Sequence, residues 1–150
     1  MNKTVKIILG IVIAALIIMQ FFQPDFNVQK SASADNLFHQ RNVPNDVQTV
    51  LKKACFDCHS NQTERPWYSY VAPVSYFLAS DVHEARDHMN FSEWGTYSTV
   101  EAHDKANHIC KMVKEGKMPL KAYTLMHKEA RLSDRQVKLL CNWVDSLSFK

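Results

Sequence analysis

An all-α domain behind an apolar N-terminal helix is the architecture that three features of the 150-residue chain predict. Apolar residues recur at helical spacing in four separate stretches, no stretch sustains period-two alternation, and no internal repeat appears. With three glycines, five prolines and 46% hydrophobic residues, the chain is neither low-complexity, collagen-like nor wholly disordered.

The first helix is apolar all round. Lys3 and Lys6 precede a run from Ile7 to Met19 that resumes at Phe21 and Phe22 before Pro24 and Asp25 stop it. Val5 to Phe22 spans about 27 Å as a helix, just under a hydrocarbon core of about 30 Å, which a snorkelling lysine accommodates. A small-residue cleavage pattern, Ala32-Ser33-Ala34, ends twelve residues beyond Phe22, whereas signal peptides cleave close behind the apolar stretch. The expectation is an uncleaved signal anchor over residues 1–22, crossing the cytoplasmic membrane once. Because positive residues stay inside, residues 23 onward belong in the oxidising periplasm. Residues 23–42, rich in Gln, Asn, Ser and Ala and without helical period, read as a tether to a domain over residues 43–150.

About four short helices are expected in that domain. Val47, Val50, Leu51 and Ala54 share a face from Pro44 to about Ala54. A second helix begins near Pro73, carries Val74, Phe77, Leu78, Val82 and Ala85 on one face, and gives out around Asn90. A third uses Ala102, Ala106, Ile109, Cys110 and Val113 and stops at Gly116, a left-handed cap position. The fourth opens with the capping box Ser133-Asp134-Arg135-Gln136 and continues through Val137, Leu140, Cys141, Val144 and Leu147. The connections 59–72 and 117–132 are too long for idle turns in so small a domain, which suggests that they wrap something.

Cys55-Phe56-Asp57-Cys58-His59 is the C-x-x-C-H pattern of c-type haem attachment. Two thiols three residues apart on a helical turn reach the two vinyl groups on one porphyrin edge, and the next residue brings an imidazole beneath the iron. His59 is then the proximal ligand. Two rivals use the same cysteines. A thioredoxin-type pair wants a βαβ surround that the helical pattern denies, and a zinc site wants a further close Cys or His pair that Cys110 and Cys141, 31 residues apart, do not form.

An electron carrier normally gives haem iron a second axial ligand. Met118 is the expected one, because Gly116-Lys117-Met118-Pro119 places a thioether just past a helix end, 59 residues beyond His59. Met126 lies in the same connection and stays open as a replacement, as do His39 and His127. Met112 and Met89 fall off the apolar stripe or at a fraying helix end. His83 and His88, like His103 and His108, are five residues apart and stand about 140° from one another around a helix, so neither pair makes a zinc-protease site.

Cys110 and Cys141 fall on expected buried faces, and a disulfide and two buried thiols remain alternatives. Trp67, Tyr68, Tyr70, Trp94 and Trp143 suit either a haem crevice or ordinary core packing. Residues 35–150 carry fifteen basic and fourteen acidic side chains, too even a balance for nucleic-acid binding through phosphate neutralisation.

Taken together, Cys55-Phe56-Asp57-Cys58-His59-Ser60-Asn61, Pro66-Trp67-Tyr68-Ser69, Ala72-Pro73-Val74-Ser75, Asn90-Phe91-Ser92-Glu93-Trp94 and Met118-Pro119-Leu120 resemble the haem-binding domain family of small, membrane-anchored, cytochrome-c-like bacterial proteins. The resemblance covers about residues 40–147. It implies one covalent haem c per chain, with Cys55 and Cys58 as attachment points, His59 on the iron and Met118 on its other side. The expected function is single-electron transfer to and from redox partner proteins of the membrane or periplasm. The alternatives are a haem-based redox or gas sensor in which Met118 leaves the iron and, further off, a peroxidase with an open iron. No catalytic residue is assigned, and an electron carrier is not an enzyme.

Overall fold

The computed structural model describes residues 2–147, and these are all-helical, with no strand among them. Eight α-helices follow one another: α1 (Lys3–Gln20), α2 (Leu37–Gln40), α3 (Asn45–Ala54), α4 (Phe56–His59), α5 (Val74–His88), α6 (Thr99–Lys114), α7 (Lys121–Met126) and α8 (Asp134–Ser146). Short 3₁₀ turns at Trp67–Tyr70, Phe91–Thr96 and Lys128–Ala130 sit between them. The four expected helices are α3, α5, α6 and α8. Helix α1 is the expected apolar N-terminal helix, while α2, α4, α7 and the 3₁₀ turns fall outside the expected helices, in pieces of three to six residues too short to show a period.

The main core is built from Val47, Val50 and Leu51 of α3, Ala102, Ala106, Ile109 and Val113 of α6, and Leu140, Trp143 and Val144 of α8. Small residues on α6 let α8 approach closely, and Cys110 and Cys141 join the two helices in a disulfide with Cα atoms 4.9 Å apart. This resolves the open pairing. Both helices start on complete capping boxes, Ser98 with Glu101 and Ser133 with Gln136. Gly116 takes φ +63° just after α6, as its position in the sequence predicts.

Two expectations change. The second helix buries Ser75, Ala79, Val82 and Ala85, so the covered face is rotated away from Val74 and Phe77, which stay exposed. Residues 23–42 are not a free tether either. Phe26 is only 2% exposed and packs with Ala79 and Val82, while Leu37 of α2 is wholly buried in the main core. Phe26 and Leu37 each gain more from burial than a flexible linker gains from solvation. No residue of helix α1 is buried.

Candidate haem site

The local path of the chain delivers the motif at a junction. Cys55 closes α3, its N–H donating to the Leu51 carbonyl at 2.9 Å, and also opens α4, where the His59 N–H donates back to the Cys55 carbonyl at 2.9 Å. Cys55 therefore borders the main core, while Cys58, one turn on, packs against the smaller cluster of Phe26, Ala79 and Val82. Phe56 between them is buried and stacks on Phe38 and Phe91, with ring centroids 4.7 and 5.0 Å away. Both thiols are unbridged. Burial pushes the Cys55 thiol up to about 12, helped by Cys58, and pushes Cys58 up to about 11, helped by Asp57 and Asp81. Such thiols stay protonated at neutral pH, the opposite of the depressed values of disulfide oxidoreductases.

His59 is fixed through one ring nitrogen. Its Nδ1 lies 3.0 Å from the Met89 carbonyl oxygen. A carbonyl only accepts, so Nδ1 carries the proton and Nε2 keeps its lone pair, the tautomer of a metal-ligating histidine. Burial lowers the imidazole pKa, which keeps the ring neutral and able to ligate.

The chain after the motif is clamped to the 3₁₀ turn that follows α5. The Asn61 N–H donates to Ser92 Oγ at 2.9 Å, and Asn90 Nδ2 donates to Asn61 Oδ1 at 2.8 Å and to Glu93 Oε1 at 2.9 Å. Asn90 also caps its own turn by accepting the Ser92 N–H at 3.0 Å. These are residues of two of the blocks that carried the resemblance. Their positions so far apart in sequence hide the contact, and the short Asn-Phe-Ser-Glu cap was its only local signal. Arg86 adds a second clamp, donating to the carbonyls of Ser60 at 2.9 Å and Phe26 at 2.6 Å and to Thr63 Oγ1 at 2.9 Å.

On the other side of α4, Asp57 accepts the Tyr123 hydroxyl at 2.6 Å, and burial together with that bond raises the Tyr123 pKa. Tyr123 stacks on His127 at 4.4 Å, and His127 in turn hydrogen-bonds Tyr68 through Nε2 and Glu129 through Nδ1 at 3.1 Å. A cleft of about 480 Å³ with Lys52, Lys53, Arg65, Tyr123 and His127 on its walls opens here, beside a pocket of about 30 Å³ that reaches Cys58, Tyr68 and Leu78. The long connections do surround this side of the motif.

Among the distal candidates, Met118 is partly buried against the same core that Cys55 borders, and its N–H donates to the Met112 carbonyl at 3.3 Å. Met126 is exposed on α7, a helix without buried residues. Both nitrogens of His127 are engaged, and His39 is exposed and bonds Ser33. Of the aromatics, Trp94 and Trp143 are core residues, Tyr68 lines the small pocket, and Trp67 and Tyr70 are exposed. His83 bonds the Asp25 carbonyl and His88 faces Glu84, both at the surface. Among the described residues no cluster of three or more His, Cys, Asp or Glu is placed to hold a metal ion.

The donor set on the turn fits a haem: two unbridged thiols and one oriented neutral imidazole, while Met118 is partly buried against the core that Cys55 borders. Comparison with curated proteins and with solved structures finds no match. The model of the haem-binding domain family, in contrast, matches residues 14–146, which include the motif, both clamps and Met118. The chain belongs to the haem-binding domain family.

Proposed function

We propose that the protein is a monohaem c-type cytochrome, anchored in the cytoplasmic membrane by α1, that passes single electrons between partner proteins in the periplasm. One observation carries the reading. Of four cysteines, Cys110 and Cys141 are joined, while Cys55 and Cys58 stay free on the turn that ends in an oriented imidazole. Each free thiol would add its S–H across a vinyl group, forming one C–S bond and leaving the hydrogen on the neighbouring carbon, a step that needs no oxidant. Both thiols would then be consumed, which accounts for partly buried cysteines that neither pair nor ionise.

His59 would bind through Nε2 while Met89 holds Nδ1. Met118 would be the second residue to hold the iron, and a thioether there raises the reduction potential relative to a second imidazole. The bound group supplies a one-electron iron couple. The protein supplies rigidity: the Asn61–Asn90 and Arg86–Ser60 bonds keep the turn in place on both sides of electron transfer. Helix α1, with mean hydropathy 2.0, no buried residue and two lysines at its start, supports a single-pass anchor with the domain on the far side.

The test is a haem stain of the purified, denatured protein after co-expression with c-type maturation machinery, because only thioether-linked haem survives denaturation. A stained band at 17.3 kDa is the expected result. No band, alongside a control cytochrome that matures normally, overturns covalent attachment.

A further inference from the structure

We propose that residues 67–77 are a second membrane contact, through which the haem-binding domain lies against the bilayer surface rather than swinging on its anchor. This rests on the reading of α1 as a membrane anchor.

The stretch Trp67-Tyr68-Ser69-Tyr70-Val71-Ala72-Pro73-Val74-Ser75-Tyr76-Phe77 contains no charged residue. Apart from Tyr68, its large side chains are turned outward: Trp67 is 74% exposed, Phe77 69%, Tyr70 52%, and Val71 and Val74 each 41%. The same part of α5 buries Ser75 and Ala79. A run that buries its small residues and exposes its aromatic ones is inverted for a water-facing surface. Exposed Trp and Tyr beside apolar side chains match the composition of the membrane–water boundary.

Position identifies the occupant. Gln20, the last residue of α1, brackets the backbone of Ala72. Its Nε2 donates to the Ala72 carbonyl at 3.0 Å, and its Oε1 accepts the Ala72 N–H at 3.3 Å. The Tyr76 hydroxyl donates to the Phe22 carbonyl. The middle of the patch is thus pinned to the end of the anchor, next to the exposed Phe21 and Phe22. The four-residue turn Trp67–Tyr70 is about 8 Å long at about 2 Å per residue. The interfacial layer of one leaflet is about 5–8 Å deep, comparable to the length of that turn.

The test uses the full-length holoprotein in phosphatidylcholine vesicles that contain a lipid with a diazirine on its acyl chain. After photolysis and digestion, mass spectrometry locates the labelled peptides. Label in residues 3–22 and also in 67–77 is the expected result. Label confined to 3–22 overturns the second contact and leaves the anchor intact. Absence of label in both, with release of the protein by alkaline carbonate, overturns the anchor and the contact together. The double variant Trp67→Ser, Phe77→Ser should lose most of the label in 67–77 with an unchanged Soret band and unchanged label in 3–22. A shifted Soret band assigns the patch to the haem, and an unlabelled patch on a protein that sediments as a dimer assigns it to a second copy. Either result overturns the proposal.

Discussion

The Nδ1 of His59 and the carbonyl oxygen of Met89, 30 residues apart in sequence, lie 3.0 Å from each other. That bond ties the imidazole after the cysteine pair to the end of α5, so the ring's direction is set by backbone and not by a side chain that could rotate away. His59→Ala therefore removes a preoriented ligand. We expect haem still attached through Cys55 and Cys58 but without low-spin absorption bands. Visible spectra of the purified variant check this, and wild-type-like bands would remove His59 from the iron.

Met118 and Met126 sit in the same connection, yet only Met118 packs against the core. Met118→Ala should lower the reduction potential, since a thioether favours the ferrous state, and should let carbon monoxide bind the ferrous protein at neutral pH. Redox titration and absorption spectroscopy of both alanine variants decide between them. If Met126→Ala produces these changes and Met118→Ala does not, the distal assignment moves to Met126. Carbon monoxide binding by the unaltered protein would point instead to a sensor whose distal ligand leaves the iron.

What could be read from sequence divides along the range of the interactions. Pro44 before α3, the Ser133–Gln136 box before α8 and Gly116 after α6 are local devices, and each lies where its residues announce it. The Ser98–Glu101 box carries the same signal and was legible in principle. The face of α5 was not, because periodicity reports which side is apolar and not which side faces the protein. Val74 and Phe77 are apolar and outward, while Ser75 is polar and buried. Phe26 and Leu37 were hidden differently, as isolated apolar residues in a polar segment whose partners lie far along the chain. The Cys110–Cys141 pairing needed the Cα separation that only the packed α6–α8 pair supplies.

The disulfide closes a long loop, with 31 residues of sequence separation. By loop-closure entropy such a link is worth roughly 3–4 kcal/mol. The double variant Cys110→Ala, Cys141→Ala should lower the urea midpoint by a corresponding amount with no change in the haem spectrum, because the disulfide joins α6 to α8, while the motif spans the turn from Cys55 to His59 and its imidazole is held by Met89. Reducing agent added to the unaltered protein should give the same drop.

Asn90 donates to Asn61 and Glu93 and accepts from Ser92, and both asparagines are buried. Asn90→Ala leaves a buried amide oxygen and a carboxylate short of donors, at a cost of roughly 2–3 kcal/mol. Asn90→Asp should be worse than Asn90→Ala, since it sets a second carboxylate beside Glu93. Urea unfolding of the three proteins gives the order directly.

Phe26 separates a packed segment from a tether. Its ring lies under the Arg65 guanidinium at 4.4 Å and against Ala79 and Val82, on the cluster that also receives Cys58. Its carbonyl accepts from Arg86, which reaches the chain just after the motif. Phe26→Ala should therefore cost about 3 kcal/mol, the lower end for a buried phenylalanine because the cluster is small. In a free linker the same change would fall within about 0.5 kcal/mol of zero. Urea unfolding of the full chain in detergent separates these values. A loss near 3 kcal/mol makes residues 23–42 part of the domain that holds the haem site, so the distance from α1 to that site is set by packing and not by linker length.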